Sequence, residues 1–121
     1  MTAPSLPAAL RAGAQGLYAL EAATGLIIAH GTWLARDDFA CFIYHGARTA
    51  AIDWQAAISA LDGGRLPSSG GERRMLRLAA SLAGQAPVSL GEAITGIDER
   101  NVGLLVRAIL HASGQRQFPI R

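Results

Sequence analysis

The chain has 121 residues, of which 50% are hydrophobic and 17% are charged. These values exclude an intrinsically disordered chain and predict one packed domain spanning residues 1–121. All basic residues are arginine and the net charge is +2. Without lysine there can be no Walker A loop, Schiff base or lysine general base. The arginine, alanine and glycine content indicates a bacterial genome of high GC content.

The sequence gives no sign of export or of a membrane span. Its most apolar run, residues 25–29, is far shorter than the ~20 residues that cross a bilayer. The N-terminus lacks the basic and apolar regions of a secretory signal. The single cysteine, Cys41, has no partner for a disulfide within the chain. We therefore expect a soluble protein of the reducing cytoplasm.

The N-terminal quarter predicts one long helix from Pro4 to His30, ended by Gly31. Apolar residues recur along it at spacings of three and four, which is the pattern of a packed helix. Small residues, Gly13 and Gly16 among them, keep its surface narrow and allow another helix to approach closely. We expect this helix to be covered on more than one side.

The next segment, Trp33 to Tyr44, predicts a second helical region. Asp37 or Asp38 can cap a helix there, and aromatic residues form its apolar face. The β propensity of Cys41 to Tyr44 also allows a short strand, but one isolated strand would have no partner in this chain. The helix is therefore the favoured interpretation.

The rest of the chain predicts four more helices. Asp53 is placed to cap the first of them, and the Gly, Pro and Ser residues of 62–69 form a linker. This linker divides an N-terminal helical half, 4–61, from a C-terminal three-helix half, 70–114. The four helices are predicted over 54–61, 70–83, 90–95 and 99–112, followed by a loose tail, 115–121.

Helix caps are the clearest local signal in the sequence. Ser69 with Glu72, and Ser89 with Glu92, each fit the capping box, in which the two side chains satisfy free backbone N–H groups reciprocally. Asp98 is a third N-cap candidate. Three glycines stand where helices would end in a left-handed residue: Gly84, Gly96 and Gly114.

Most acidic residues and all histidines are predicted at helix ends. Carboxylates stabilise first turns and imidazoles stabilise last turns through hydrogen bonds and the helix dipole. The acidic set is Asp37, Asp38, Asp53, Glu72, Glu92, Asp98 and Glu99, and the histidines are His30, His45 and His111. The remaining acids, Glu21 and Asp62, lie on different segments, so no carboxylate pair for acid–base catalysis is expected.

A nucleophile–base pair or metal site at Cys41 and His45 is the alternative. The two residues would share a helix face, but Cys41 is flanked by Phe39, Phe42 and Ile43, and a thiol buried in apolar surroundings is unreactive. The chain has no C-x-x-C, H-E-x-x-H or G-x-S-x-G motif. The sequence therefore predicts no catalytic residue, no cofactor and no metal site.

Residues 68–76, Ser-Ser-Gly-Gly-Glu-Arg-Arg-Met-Leu, resemble the signature segment of ABC-type ATPases. In that family a Ser and Gly-Gly at a helix N-terminus bind the terminal phosphate of the nucleotide through free N–H groups. The resemblance implies a weak anion site at Ser69, Gly70 and Gly71. The capping box explains the same residues as a helix start.

Residues 89–102 resemble the two-helix core of helix-turn-helix DNA-binding proteins. Gly96, Ile97, Asp98 and Val102 match that family's turn glycine, buried aliphatic residue, cap and first core contact. Ala93 departs from the pattern, because it stands three residues before the turn glycine and the family usually has four. The resemblance implies contacts to DNA and its phosphates from Arg100, Asn101 and Arg107, and from Arg73, Arg74 and Arg77.

The last predicted helix, 99–112, is apolar over about two-thirds of its circumference. Only Arg100, Gly103, Arg107 and His111 form a polar stripe along it. Such a helix is buried centrally or covered partly by another chain, whereas a recognition helix needs a wider solvated face. This composition favours a core element or a dimer interface.

We therefore predict an all-α, single-domain bundle of five to six helices. Its favoured function is that of a small non-catalytic interaction or adaptor protein. The predicted partner is another protein chain or a second copy bound through the 99–112 helix. The alternative is a DNA-associated helix-turn-helix-like protein that uses residues 89–112, and an enzyme with an unrecognised site is the third reading.

Overall fold

The computed structural model describes residues 2–114, which fold into α-helices, one 3₁₀ helix and a two-stranded hairpin. The predicted all-α bundle is confirmed, and the tail predicted at 115–121 lies outside the described residues. None of the helices in 2–114 is both long and apolar enough to cross a membrane. The elements are α1 (Leu6–Ala14), α2 (Tyr18–His30), the 3₁₀ helix (Asp37–Phe42), β1 (Ile43–His45), β2 (Ala50–Ile52), α3 (Trp54–Asp62), α4 (Gly70–Leu82), α5 (Leu90–Thr95) and α6 (Glu99–Ala112).

The single helix predicted from Pro4 to His30 is wrong, because a corner divides it into α1 and α2. Gln15 leaves the helical region and Gly16 has a φ of 103°, a conformation that glycine adopts without steric cost. The N–H of Gly16 donates to Glu21 Oε2 over 2.8 Å. Both helices contribute apolar residues to one core, so the spacing of apolar residues does not mark the corner.

The helix predicted from Trp33 to Tyr44 is wrong in its second half. After the 3₁₀ helix the chain continues as β1, which pairs antiparallel with β2 in the register Ile43↔Ile52. The partner strand reads Ala-Ala-Ile, and alanine is depleted in strands. The sequence therefore gives no signal for the strand that completes the hairpin.

The small residues of α1 allow the close approach that the sequence predicts, although the partner is a strand. A Cβ atom at Gly13 would overlap the carbonyl oxygen of Ala50 on β2. Glycine at this position lets the helix backbone lie directly against the hairpin.

Helix α2 is the centre of the bundle and packs against α1, α4 and α6. It is apolar around its circumference, as expected for a helix covered on several sides. Beyond its end, the fully buried rings of Trp33 and Phe39 lie 5.6 Å apart, and the Trp33 indole N–H donates to the Glu72 carbonyl over 3.0 Å. One core cluster thus joins both halves of the chain.

Three helix starts use the predicted caps. Asp53 and Asp98 each accept a backbone N–H three residues further on, and Ser69 with Glu72 forms a complete capping box. The capping box predicted at Ser89 is wrong, because Ser89 makes no side-chain cap hydrogen bond. A matching sequence pattern does not fix the rotamer that makes the bond.

The prediction that a helix ends at a left-handed glycine is confirmed at three positions and is wrong at one. Gly31, Gly84 and Gly114 have positive φ values, whereas Gly96 has a φ of −108°. The side chain of Arg74 occupies the position that a Cβ of Gly96 would take. Gly96 therefore serves a close contact and not a left-handed turn.

The predicted linker, 62–69, does not separate two units. Asp62 belongs to α3, and Leu66 is buried in the common core. Arg77 Nη2 on α4 lies 2.6 Å from Asp62 Oδ1, so an ion pair also connects the helices on either side of the segment.

Candidate functional site

The three arginines of α4 that would contact DNA phosphates each have a contact within the chain. Arg73 donates to the Ser68 carbonyl, and Arg77 pairs with Asp62. Arg74 packs against the turn at Gly96. These guanidinium groups therefore stabilise the start of α4 and its contacts with α3 and α5, which accounts for them without a phosphate ligand.

The N-terminus of α4 carries the predicted anion site at Ser69, Gly70 and Gly71. Ser69 Oγ accepts the Glu72 N–H over 3.2 Å, and Glu72 Oε1 accepts the Ser69 N–H over 2.8 Å. The Ser69 N–H holds the pKa of the Glu72 carboxyl below its ordinary value. A negative charge from the chain itself thus already lies at this helix start.

The residues of α6 predicted to face DNA do not lie on one exposed face. Arg100 Nη2 donates to the Ala29 carbonyl on α2 over 3.1 Å. Asn101 is only 8% exposed, and its Oδ1 is buried without a hydrogen-bond partner among the described residues. Arg107 lines a cleft against α2. Arg100 and Arg107 of the polar stripe therefore lie on the α2 side of α6.

An apolar face of α6 is left exposed on another side of the helix. Val102, Val106 and Ile109 are 40%, 38% and 44% exposed, and their i, i+4, i+7 spacing places them in one row. Gly103 adjoins this row, and a Cβ there would meet no atom within 4 Å. On the preceding helix, Leu90 and Ile94 are also exposed.

A cleft of about 430 Å³ lies between α2 and α6. Its apolar wall includes Ala22, Leu26, Leu104 and Ala108. Its ionisable wall is formed by Arg11, Glu21, Arg107 and His111. Four ionisable side chains from three helices therefore line this one concavity.

No protein-family model, curated protein or solved structure matches this chain. Its function is therefore inferred from the two surfaces of α6, the exposed apolar face and the cleft.

Glu21 and His111 join the two helices at one end of the cleft. His111 Nε2 donates to Glu21 Oε1 over 2.7 Å, while Glu21 Oε2 accepts the Gly16 N–H. The Gly16 N–H, followed by the bond from His111, holds the pKa of the Glu21 carboxyl below its ordinary value. The Tyr18 ring meets the His111 ring edge-on at 5.9 Å. The position of Glu21 is thus fixed by both of its oxygens.

The predicted environments of Cys41 and His45 are wrong. Cys41 is exposed, and its thiol donates to the Asp38 carbonyl over 3.6 Å. The 3₁₀ helix turns Phe39 into the core, which leaves Cys41 outside. His45 lies on β1 and not in the last turn of a helix. Residues 2–114 contain no group of three His, Cys, Asp or Glu side chains that could hold a metal ion.

The sequence reasoning assigned no site to Arg11, Glu21, Gly25 and His111, which the structure brings together at the cleft. The only sequence feature that pointed to the cleft was the presence of a few polar residues on otherwise apolar helices. Residue spacing within one helix does not reveal that polar residues of α2 and α6, 90 positions apart in the case of Glu21 and His111, share one cleft.

Proposed function

We propose that the protein is a small, non-catalytic interaction protein that forms a homodimer through the exposed apolar face of α6. The observation that carries this proposal is the row of Val102, Val106 and Ile109, each about two-fifths exposed. Covering these side chains would remove apolar surface from water, which stabilises the complex by about 25 cal/mol for each Å² buried. A contiguous exposed apolar patch is typical of a protein–protein contact.

The row is self-complementary about its centre, which favours a second copy as the partner. In a two-fold symmetric dimer the same patch is used by both subunits. Val106 lies next to the midpoint of α6. A two-fold axis between residues 105 and 106 would place Val102 opposite Ile109 of the partner subunit and bring the two Val106 side chains next to each other. Gly103 would leave room for a large aliphatic side chain from the second copy.

Charge favours the antiparallel arrangement of the two helices. Glu99 lies at the N-terminal end of α6, and the ionisable side chains Arg100, Arg107 and His111 belong to the side facing α2. A parallel pair would bring two Glu99 carboxylates together. An antiparallel pair would separate them by about 21 Å, the length of 14 helical residues at 1.5 Å each.

A charge placed in the centre of the row tests the proposal. Val106→Arg should dissociate the dimer, because it would bury two like charges against each other at the symmetry axis. Light scattering coupled to size exclusion should give twice 12.6 kDa for the wild type and 12.6 kDa for the variant. Ser59→Arg, which adds the same charge to an exposed position on α3, should remain dimeric.

A wild-type chain that elutes as a monomer throughout the micromolar range would contradict the proposal. Dissociation caused equally by Ser59→Arg would contradict the assignment to α6. Circular dichroism of both variants should match the wild type, since both positions are at the surface.

DNA binding through residues 89–112 is the alternative, and fewer contacts support it. Asn101 is buried and is not available to bases, while Arg100 is exposed but donates one hydrogen bond to α2. This alternative requires duplex binding that weakens steeply as salt is raised and that is lost in Arg73→Ala with Arg77→Ala. No duplex binding at low salt would remove it.

A further inference from the structure

We propose that the cleft between α2 and α6 binds a small amphipathic carboxylate, with its apolar body against the floor of the cleft and its carboxylate at Arg11 and Arg107. This inference concerns the side of α6 that faces α2 and does not depend on the dimer.

The cleft has the size and composition of a small-molecule site. Its volume of about 430 Å³ falls within the roughly 300–1,000 Å³ typical of ligand pockets. Leu26 and Leu104 form part of an apolar floor, and the charged groups come from three helices, with Arg11 on α1, Glu21 on α2 and Arg107 on α6. Convergent polar groups around an apolar floor are the usual arrangement of a binding site.

The two arginines at the cleft have no carboxylate partner among the described residues. Other guanidinium groups of the chain do: Arg36 forms an ion pair with Asp38, and Arg77 forms one with Asp62. Neither Arg11 nor Arg107 has an ion pair within residues 2–114. Two permanently charged, bidentate donors thus line one concavity with their hydrogen-bonding capacity unused by acidic side chains.

Glu21 does not supply the missing partner, since its ion-pair contact among the described residues is with His111 and not with either arginine. One oxygen binds the Gly16 N–H and the other binds His111. The Glu21 carboxylate offsets only one of the two guanidinium charges, which leaves one positive charge at the cleft without an acidic counterpart. One carboxylate would neutralise that charge, and a guanidinium binds a carboxylate through two parallel N–H···O bonds.

Gly25 keeps the cleft open from the middle of α2. Glycine inside a helix costs about 1 kcal/mol relative to alanine, and no turn or close helix contact requires it here. A Cβ at Gly25 would lie 3.8 Å from Arg11 Nη1, which is an ordinary contact. The missing side chain leaves room beside the Arg11 guanidinium for the carboxylate end of the ligand.

Two probes of this chemistry are octanoate and 3-phenylpropionate, with octanamide as the uncharged control. Titration followed by calorimetry and by NMR amide shifts should show saturable binding of at least one acid. The largest shifts should fall at Gly25, Leu104 and Ala108. Octanamide should bind at least ten times more weakly, because it cannot form the charged pair with an arginine.

Three variants distinguish binding in the cleft from binding elsewhere on the surface. Arg107→Gln should raise the Kd of the acids roughly 10- to 100-fold, the range for hydrogen bonds to charged groups. Gly25→Leu should abolish binding by filling the cleft while improving helix propensity. Arg65→Gln, which removes the same charge at an exposed position outside the cleft, should bind like the wild type.

Absence of saturable binding by both acids up to millimolar concentration would overturn the proposal. Equal binding of octanamide would remove the role of the arginines, and unchanged binding by Gly25→Leu would show that the acids bind elsewhere. Because the cleft lies on the α2 side of α6, Val106→Arg should bind the acids as the wild type does. A loss of binding in Val106→Arg would contradict the independence of the two sites.

Discussion

At the scale of single residues, His30 combines a helix-end position with burial. It lies in the last turn of α2, where a protonated imidazole would favour the helix dipole. Its Nδ1 is nevertheless buried without a hydrogen-bond partner among the described residues. Burial first, and then the charge of Arg100, lower the pKa of His30 below its ordinary value of 6.5.

This lowered pKa predicts that stability falls in mildly acidic solution. Below pH 6.5 the unfolded chain takes up the His30 proton before the folded chain does, so protonation favours unfolding. The melting temperature should therefore fall as the pH decreases from about 7.5 to about 5.5, around the ordinary titration range of histidine. Thermal unfolding followed by circular dichroism over this range tests the prediction.

His30→Gln is the matched variant for this effect, since its amide does not titrate. The melting temperature of this variant should change less with pH over the same interval. The lowered pKa of Glu21 affects the stability only at pH values below the ordinary carboxyl pKa of 4.5, which is outside that interval. An equal pH slope in wild type and His30→Gln would contradict the assignment to His30.

Residue-scale features were predicted well where the chemistry is local. The caps at Asp53, Ser69 and Asp98 depend on residues three positions apart, so a local pattern predicts them, although the same pattern at Ser89 does not form the cap bond. Cys41 was predicted incorrectly because its exposure depends on the direction in which a 3₁₀ turn faces the core. Flanking residues cannot supply that direction.

At the scale of elements, the contact between α1 and the hairpin depends on Gly13. Gly13→Ala should destabilise the fold by about 1–2 kcal/mol, because the overlap with the Ala50 carbonyl exceeds the gain in helix propensity. Gly91→Ala on α5 meets no atom within 4 Å and should stabilise the protein slightly. Urea denaturation of the two variants measures both effects.

Destabilisation by Gly91→Ala equal to that by Gly13→Ala would indicate that the hairpin contact is not the cause. A stabilising Gly13→Ala would mean that α1 can move away from β2 without loss. Either outcome would contradict the role of glycine at this crossing.

The helix α6 was predicted over its full length, whereas the hairpin and the corner between α1 and α2 were not. Helix α6 has a cap, a periodic apolar pattern and a polar stripe in its own sequence. The hairpin needs a partner strand of low β propensity, and the corner needs one left-handed glycine. These depend on tertiary contacts that a local pattern does not contain.

At the scale of the whole molecule, α6 has two chemically different sides. Its polar stripe faces α2 and contributes Arg107 and His111 to the cleft, while Val102 and Val106 face away. The sequence predicted both the surplus apolar surface and the polar stripe. The helix-turn-helix resemblance implied that Arg100 and Arg107 of this stripe contact DNA, because nothing in a single helix reveals that α2 covers that side.

The antiparallel contact at Val106 is tested most directly by disulfide formation across the two-fold axis. In a Cys41→Ser background, Val106→Cys places one thiol per chain next to the axis. A disulfide requires Cβ atoms about 3.5–4.5 Å apart, so only subunits that meet at this residue will cross-link rapidly. Ser59→Cys in the same background provides the exposed control.

After mild oxidation at micromolar concentration, non-reducing electrophoresis should show Val106→Cys as a covalent dimer while Ser59→Cys stays monomeric. Cross-linking of Val106→Cys no faster than that of Ser59→Cys would contradict self-association through α6.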